Sequence, residues 1–77
     1  MESGKTYHIT HFRKGSFDAR CIGVDDDAEF VDLEILDGKA THLTQPTAEK
    51  GDVLRCRMSL LTFTELDPAT MKPVHHV

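Results

Sequence analysis

The 77-residue chain contains no tryptophan, no asparagine, one tyrosine and two cysteines. Each scarcity excludes something. With no Trp and only Tyr7, the chain cannot line the aromatic groove that grips polyproline ligands. With no Asn, it has no N-glycosylation acceptor. Cys21 and Cys56 form no C-x-x-C pair, which removes support for zinc-ribbon and thioredoxin-like readings. Free cysteines inside apolar runs fit a reducing compartment, so the expected location is the cytoplasm. No apolar run approaches the length of a membrane span, and no charged-then-apolar leader is present.

Catalytic patterns are missing too. No G-x-S-x-G elbow and no phosphate-binding glycine loop occurs, and Ser16 and Ser59 have no evident His and acid partners. A core this small leaves no interior room for a ligand pocket of about 300 Å³ or more. The expectation is a non-enzymatic domain with no cofactor and no small-molecule substrate. Positive charge is in short supply as well: the net charge is −4, against the basic excess of most phosphate-binding domains.

What remains is a pattern of short strands between turn residues. Apolar and polar residues alternate over Tyr7–Phe12, Phe17–Val24, Phe30–Leu36, Thr41–Leu43 and Val53–Leu66. Helical periodicity is absent, and Pro46–Lys50 allows one turn at most. The expected fold is all-β: a small five-stranded barrel, SH3-like or alternatively OB-like, over residues 1–66. Residues 67–77 read as a flexible C-terminal tail, although Val74 and Val77 could instead add an edge strand.

Turn chemistry suggests register. A three-residue loop Arg13-Lys14-Gly15 sets Phe12 against Ser16, Ile9 against Ala19 and Tyr7 against Cys21. A five-residue connection, Asp25 to Glu29, pairs Val24 with Phe30, Cys21 with Leu33 and Ala19 with Ile35. A loop Leu36-Asp37-Gly38 sets Ile35 against Lys39, Leu33 against Thr41 and Val31 against Leu43; a two-residue Asp37-Gly38 loop would put His42 on the apolar face. One face then gathers Tyr7, Ile9, Phe17, Ala19, Cys21, Val31, Leu33, Ile35 and Leu43. Leu54, Cys56, Met58 and Leu60 join from the last strand. Its phase breaks at Ser59-Leu60-Leu61, so a bulge or sharp bend there turns Leu61 and Phe63 inward too.

Two surfaces are candidates for function. Ile22, Val24 and Phe30 have the wrong parity for the core and meet around one hairpin, with Phe12 and Leu36 of the same parity toward the other strand ends. They are either buried by strong barrel curvature or form a contact patch for a protein partner or a second copy of the chain. The second surface holds Arg20, Arg55, Arg57, Lys39 and His42. They are either one side of cross-strand ion pairs, with Arg20 opposite Glu34, or phosphate contacts for single-stranded RNA or DNA. The aromatics do not interleave with these arginines in sequence, and Asp32 and Glu34 would repel a backbone. The leading expectation is therefore a protein-binding or self-assembling module, with nucleic-acid binding as the alternative.

Metal sites have little support. Asp25-Asp26-Asp27 lacks the alternating ligands, the glycine and the distal glutamate of an EF-hand loop. His8 and His11 fall on opposite strand faces, and His75-His76 lies in the expected tail.

Overall fold

The computed structural model describes residues 1–42 and 45–74, with the backbone alone at 42 and 45–47. Among these, the fold is all-β. Strands β1 (Thr6–His11), β2 (Gly15–Val24) and β3 (Phe30–Gly38) form an antiparallel meander. Strands β4 (Ala40–His42) and β5 (Gln45–Ala48) make a separate hairpin. Then come β6 (Val53–Arg57), a 3₁₀ turn at Met58–Leu60, β7 (Leu61–Asp67) and β8 (Lys72–Pro73). The main sheet has six strands in the order β6-β3-β2-β1-β7-β8. It is open, with β6 and β8 as its outer strands, where a closed five-stranded barrel was expected.

The expected phase break is where the chain changes edge. β6 pairs with β3 through Leu33↔Leu54 and Val31↔Cys56. After the 3₁₀ turn, β7 pairs with β1 through Ile9↔Phe63 and Thr6↔Leu66. One alternating segment thus borders the meander on both sides. The Met58 N–H anchors to the Glu29 carbonyl at 2.9 Å, and the Leu60 carbonyl accepts the Phe12 N–H at 2.8 Å.

The core sits on one face. Ile9, Ala19, Leu33 and Ile35 are fully buried, and Tyr7, Phe17, Cys21, Val31 and Cys56 nearly so. Leu54, Met58, Leu61 and Met1 pack around them. Leu60 and Phe63 do not join: they keep 37% and 42% of their surface exposed, because the sheet is open and, among the described residues, no further strand closes over its β7 side. Leu43 and residues 75–77, including His75 and His76, lie outside the described residues.

Several registers differ from expectation. The β1–β2 loop is Phe12-Arg13-Lys14, so Ile9 opposes Phe17 and Tyr7 opposes Ala19. The shift is two residues, which keeps every side chain on its face. Beyond His11 the chain leaves β2, and the Phe12 N–H donates to the Leu60 carbonyl on the β7 side at 2.8 Å. Between β2 and β3, Cys21↔Leu33, Arg20↔Glu34 and Ala19↔Ile35 stand as expected. The ladder then shifts between Cys21 and Gly23, leaving Ile22 as the extra residue, and again beside Ala19, leaving Leu36. A β-bulge reverses parity beyond it. Val24 therefore opposes the buried Val31, not Phe30, and packs against the core.

No hairpin forms at Leu36-Asp37-Gly38. The strand continues through Gly38 along β2, and the other edge of β3 is taken by the approach to β6: Ile35 donates to the Asp52 carbonyl at 2.9 Å and accepts from Gly51 at 2.8 Å. The displaced β4–β5 hairpin instead buries Ala40 and Ala48 and ties its Thr41 N–H to the Lys14 carbonyl at 2.9 Å. The strand at Gln45–Ala48 was not legible in the sequence. Residues 67–74 also depart from a loose tail. Asp67 accepts from the N–H groups of Thr70 and Met71, and β8 returns antiparallel along Leu66 and Asp67.

Gly38 has a φ of +81°, and a Cβ there would sit 3.4 Å from Phe17 Cα. The left-handed backbone costs an L-residue about 1–2 kcal/mol. Gly38→Ala should lower the unfolding free energy by about that much in urea titration. Gly23→Ala, with a Cβ meeting nothing within 4 Å and no positive φ, should cost clearly less.

Candidate functional site

The outer face of the sheet carries the arginines, and each is engaged. The Arg20 guanidinium donates to Glu34 at 2.6 Å, across the register that pairs the two residues. Arg55 pairs with Asp25 and lies 3.6 Å from Asp32, its β3 neighbour. Arg57 reaches Glu29 at 3.6 Å. The arginines are about half exposed, so each pair contributes roughly 0–1 kcal/mol.

Phe30 sits between two of them. The guanidinium carbons of Arg55 and Arg57 each lie 5.1 Å from its ring centroid. An arginine over an aromatic face is worth about 0.5–1 kcal/mol at an exposed site. The sequence hid this stacking because Phe30 and the arginines are far apart in the chain and meet only through the β3–β6 register. Phe30 is consequently half-buried rather than freely presented. Of the other basic candidates, Lys39 is exposed and His42 contributes only its β4 backbone to the description.

The five apolar candidates fall into separate environments. Val24 is on the core side, Phe30 lies under its guanidiniums, and Leu36 is half-buried at a bulge. Ile22, at the other bulge, is 44% exposed. Phe12 is the extreme case at 81% exposed. It stands at the tip of the β1–β2 loop, toward the opposite end of β2 from Ile22, Val24 and Phe30.

A surface missed by sequence reasoning surrounds Phe12. Thr10, Phe12, Ser59, Leu60, Leu61 and Thr62 line an open groove of about 470 Å³. A core too small for an interior pocket does not preclude such an external depression. Its available signal was the uncharged stretch Met58–Thr64, which the loop at Phe12 meets through the Leu60 carbonyl. Farther along β7, Phe63 meets the Tyr7 ring edge-on at 5.4 Å while its far side stays open.

His11 holds the Phe12 loop in place. Its ring is buried, and Nδ1 accepts the N–H groups of Arg13 at 3.0 Å and Lys14 at 3.1 Å. Those bonds require an unprotonated Nδ1. Burial, then the charges of Lys14 and Arg13, push the His11 pKa down. His8 instead faces outward and meets Asp18 at 2.7 Å. Cys21 and Cys56 are free, buried thiols whose pKa values are raised chiefly by burial, which suits packing rather than reactivity. Among the described residues, no cluster of three or more His, Cys, Asp or Glu could hold a metal, and no helix is long and apolar enough to cross a membrane.

The depressed His11 pKa has a definite sign. The unfolded chain takes up this proton near pH 6.5, and the folded chain resists it. Stability from neutral His11 is complete above that pH and falls as the solution is acidified through and below it. Unfolding free energies measured in urea from about pH 7.5 to pH 5 should decline. His11→Gln, which keeps an acceptor without a titrating ring, should decline less; parallel slopes would remove His11 from the account.

No protein-family model, curated protein or solved structure matches the chain.

Proposed function

We propose that this chain is a non-enzymatic protein-interaction module that binds a protein partner or a further copy of itself through the apolar end around Phe12. The observation that carries the reading is the 81% exposure of Phe12, a side chain that gains from burial, beside a groove rimmed by Leu60 and Leu61. Contiguous apolar surface of this kind marks interaction sites. The sequence-level patch contributes Phe12, and Ile22 provides a second exposed position at the far end of β2. A 77-residue domain has little core to spare and gains stability from any interface.

The strand order supports an SH3-like architecture over an OB-like one. After the β4–β5 hairpin the chain returns to place β6 beside β3, and one 3₁₀ turn then carries it to β1, without the Greek-key path of an OB fold. The alternative of single-stranded nucleic-acid binding has less support. Arg20, Arg55 and Arg57 are already paired with carboxylates in an acidic chain, and phosphates would have to displace them.

The test is mass in solution by light scattering, with Phe12→Glu beside the natural chain. The natural chain should associate. The variant should lose at least tenfold in association affinity while its circular dichroism stays β-type, because Phe12 carries no core contact to lose. Equal association by both would refute the reading. A gel shift with random RNA and single-stranded DNA should remain flat at low salt.

A further inference from the structure

We infer that His11 is a proton-operated latch on the Phe12 loop: with the ring neutral the loop is fastened for docking, and protonation releases it. The inference rests on the interaction reading and deepens it by naming how that site is regulated.

The loop is three residues long, Phe12-Arg13-Lys14, between β1 and β2. Four hydrogen bonds fasten it. The Phe12 N–H donates to the Leu60 carbonyl at 2.8 Å, and the Thr41 N–H donates to the Lys14 carbonyl at 2.9 Å. The other two, from the Arg13 and Lys14 N–H groups, end on one atom, His11 Nδ1. Half of the fastening therefore depends on a single lone pair. His11 is 5% exposed, and Phe12, next to it in the chain, is 81% exposed. A buried titratable ring thus adjoins the side chain offered for docking.

Protonation removes the lone pair. The imidazolium has two N–H donors and no acceptor, so turning the ring over restores nothing. Two backbone donors would then face a third at a buried position. The added charge also enters positive surroundings. Of the described charged groups, Lys14 and Arg13 act on the ring, and both oppose a proton. The facing strands contribute Gly15 from β2 and Leu61 from β7, neither of them titratable. The 3₁₀ turn adds Leu60 and the β4–β5 hairpin adds Thr41, each through its bond to the loop. The buried thiol of Cys56 in β6 feels Lys14 as well, and burial keeps it neutral. No carboxylate stands among these groups to offset the imidazolium, and opening the loop to water relieves it.

The latched form binds one proton fewer than the open form, so acid favours opening. Burial places the transition below the free histidine value of 6.5, and the latch is closed at neutral pH. An unfastened loop must be ordered again when a partner covers Phe12, and that ordering lowers affinity. The coupling is reciprocal: an occupied site holds the loop closed and resists the proton further. Bulk charge acts in the opposite direction. Protonated histidines carry the net charge of −4 toward zero, which reduces repulsion between copies. Association that weakens in acid is thus the mark of the latch.

The test is nuclear magnetic resonance of the full chain, diluted until monomeric, from about pH 7.5 to pH 5. At the upper end the His11 ring should carry its proton on Nε2, read from its nitrogen shifts. As the ring titrates, the protection of the Arg13 and Lys14 amides against hydrogen exchange should fall roughly tenfold, the order of one lost hydrogen bond. The Tyr7 and Ile9 amides should keep theirs. His11→Gln, with an acceptor that does not titrate, should show no such change. In light scattering at higher concentration, association of the natural chain should weaken over the same range, and that of His11→Gln should not. A proton on Nδ1 at neutral pH, or Arg13 and Lys14 amides that stay protected once the ring is charged, overturns the latch. So does association that Phe12→Glu abolishes but acid leaves unchanged; the interaction reading then stands. A loop that opens with His11 in a chain that stays monomeric at every pH sinks the interaction reading and not the latch.

Discussion

Burial of one sheet face, and one only, is the constraint on which the rest of this structure depends. Tyr7, Ile9, Phe17, Ala19, Cys21, Val31, Leu33 and Ile35 alternate with polar residues along three consecutive strands and all turn to the same side. The meander alone cannot cover that side. The later part of the chain supplies the cover: Leu54 and Cys56 at one edge, Leu61 at the other, and Ala40 and Ala48 from the hairpin between. The 3₁₀ turn at Met58–Leu60 makes the two-edged cover available from a single run of chain. An uninterrupted strand would have reached one edge and left the other bare.

Parity explains both the ordinary and the unusual parts of the surface. On the outer face, charges of opposite sign come into register, and Arg20, Arg55 and Arg57 find carboxylates without any special device. The apolar residues that break the pattern mark backbone irregularities. Ile22 and Leu36 are the extra residues of two bulges, and Phe12 stands in the loop beyond the end of the β1–β2 ladder, with its N–H on the Leu60 carbonyl. Bulges bend and twist a sheet locally, and here they decide which hydrophobic groups meet solvent. The interaction reading grows from that geometry: the exposed Phe12 and the groove beside it lie where the end of β1 meets the start of β7.

Much of this was legible in the sequence. Period-two alternation identified the long strands and most of the core, and the broken phase after Met58 located the change of edge. The pairing of Arg20 with Glu34 followed from parity and one loop length. Non-local and one-residue effects were not legible. A bulge at Ile22 leaves no mark in composition, yet it moves Val24 to the core side. The loop at Gly38 looked like a hairpin because Asp-Gly is a strong local signal. Tertiary competition won instead, since residues 51–57 satisfy the edge of β3 that the hairpin would have used. The stacking of Phe30 by two arginines and the groove beside Phe12 likewise depend on which strands become neighbours.

The central claim is that the segment after Val53 serves two opposite edges of one sheet, and cross-strand nuclear Overhauser contacts in the isotope-labelled chain test it most directly. Backbone contacts between Leu33 and Leu54 and between Ile9 and Phe63 should appear in the same molecule. None should appear between β6 and β7 beyond the turn that joins them. Contacts pairing Val53–Arg57 with Leu61–Asp67 as a hairpin would contradict the claim, because one edge of the meander would then be uncovered.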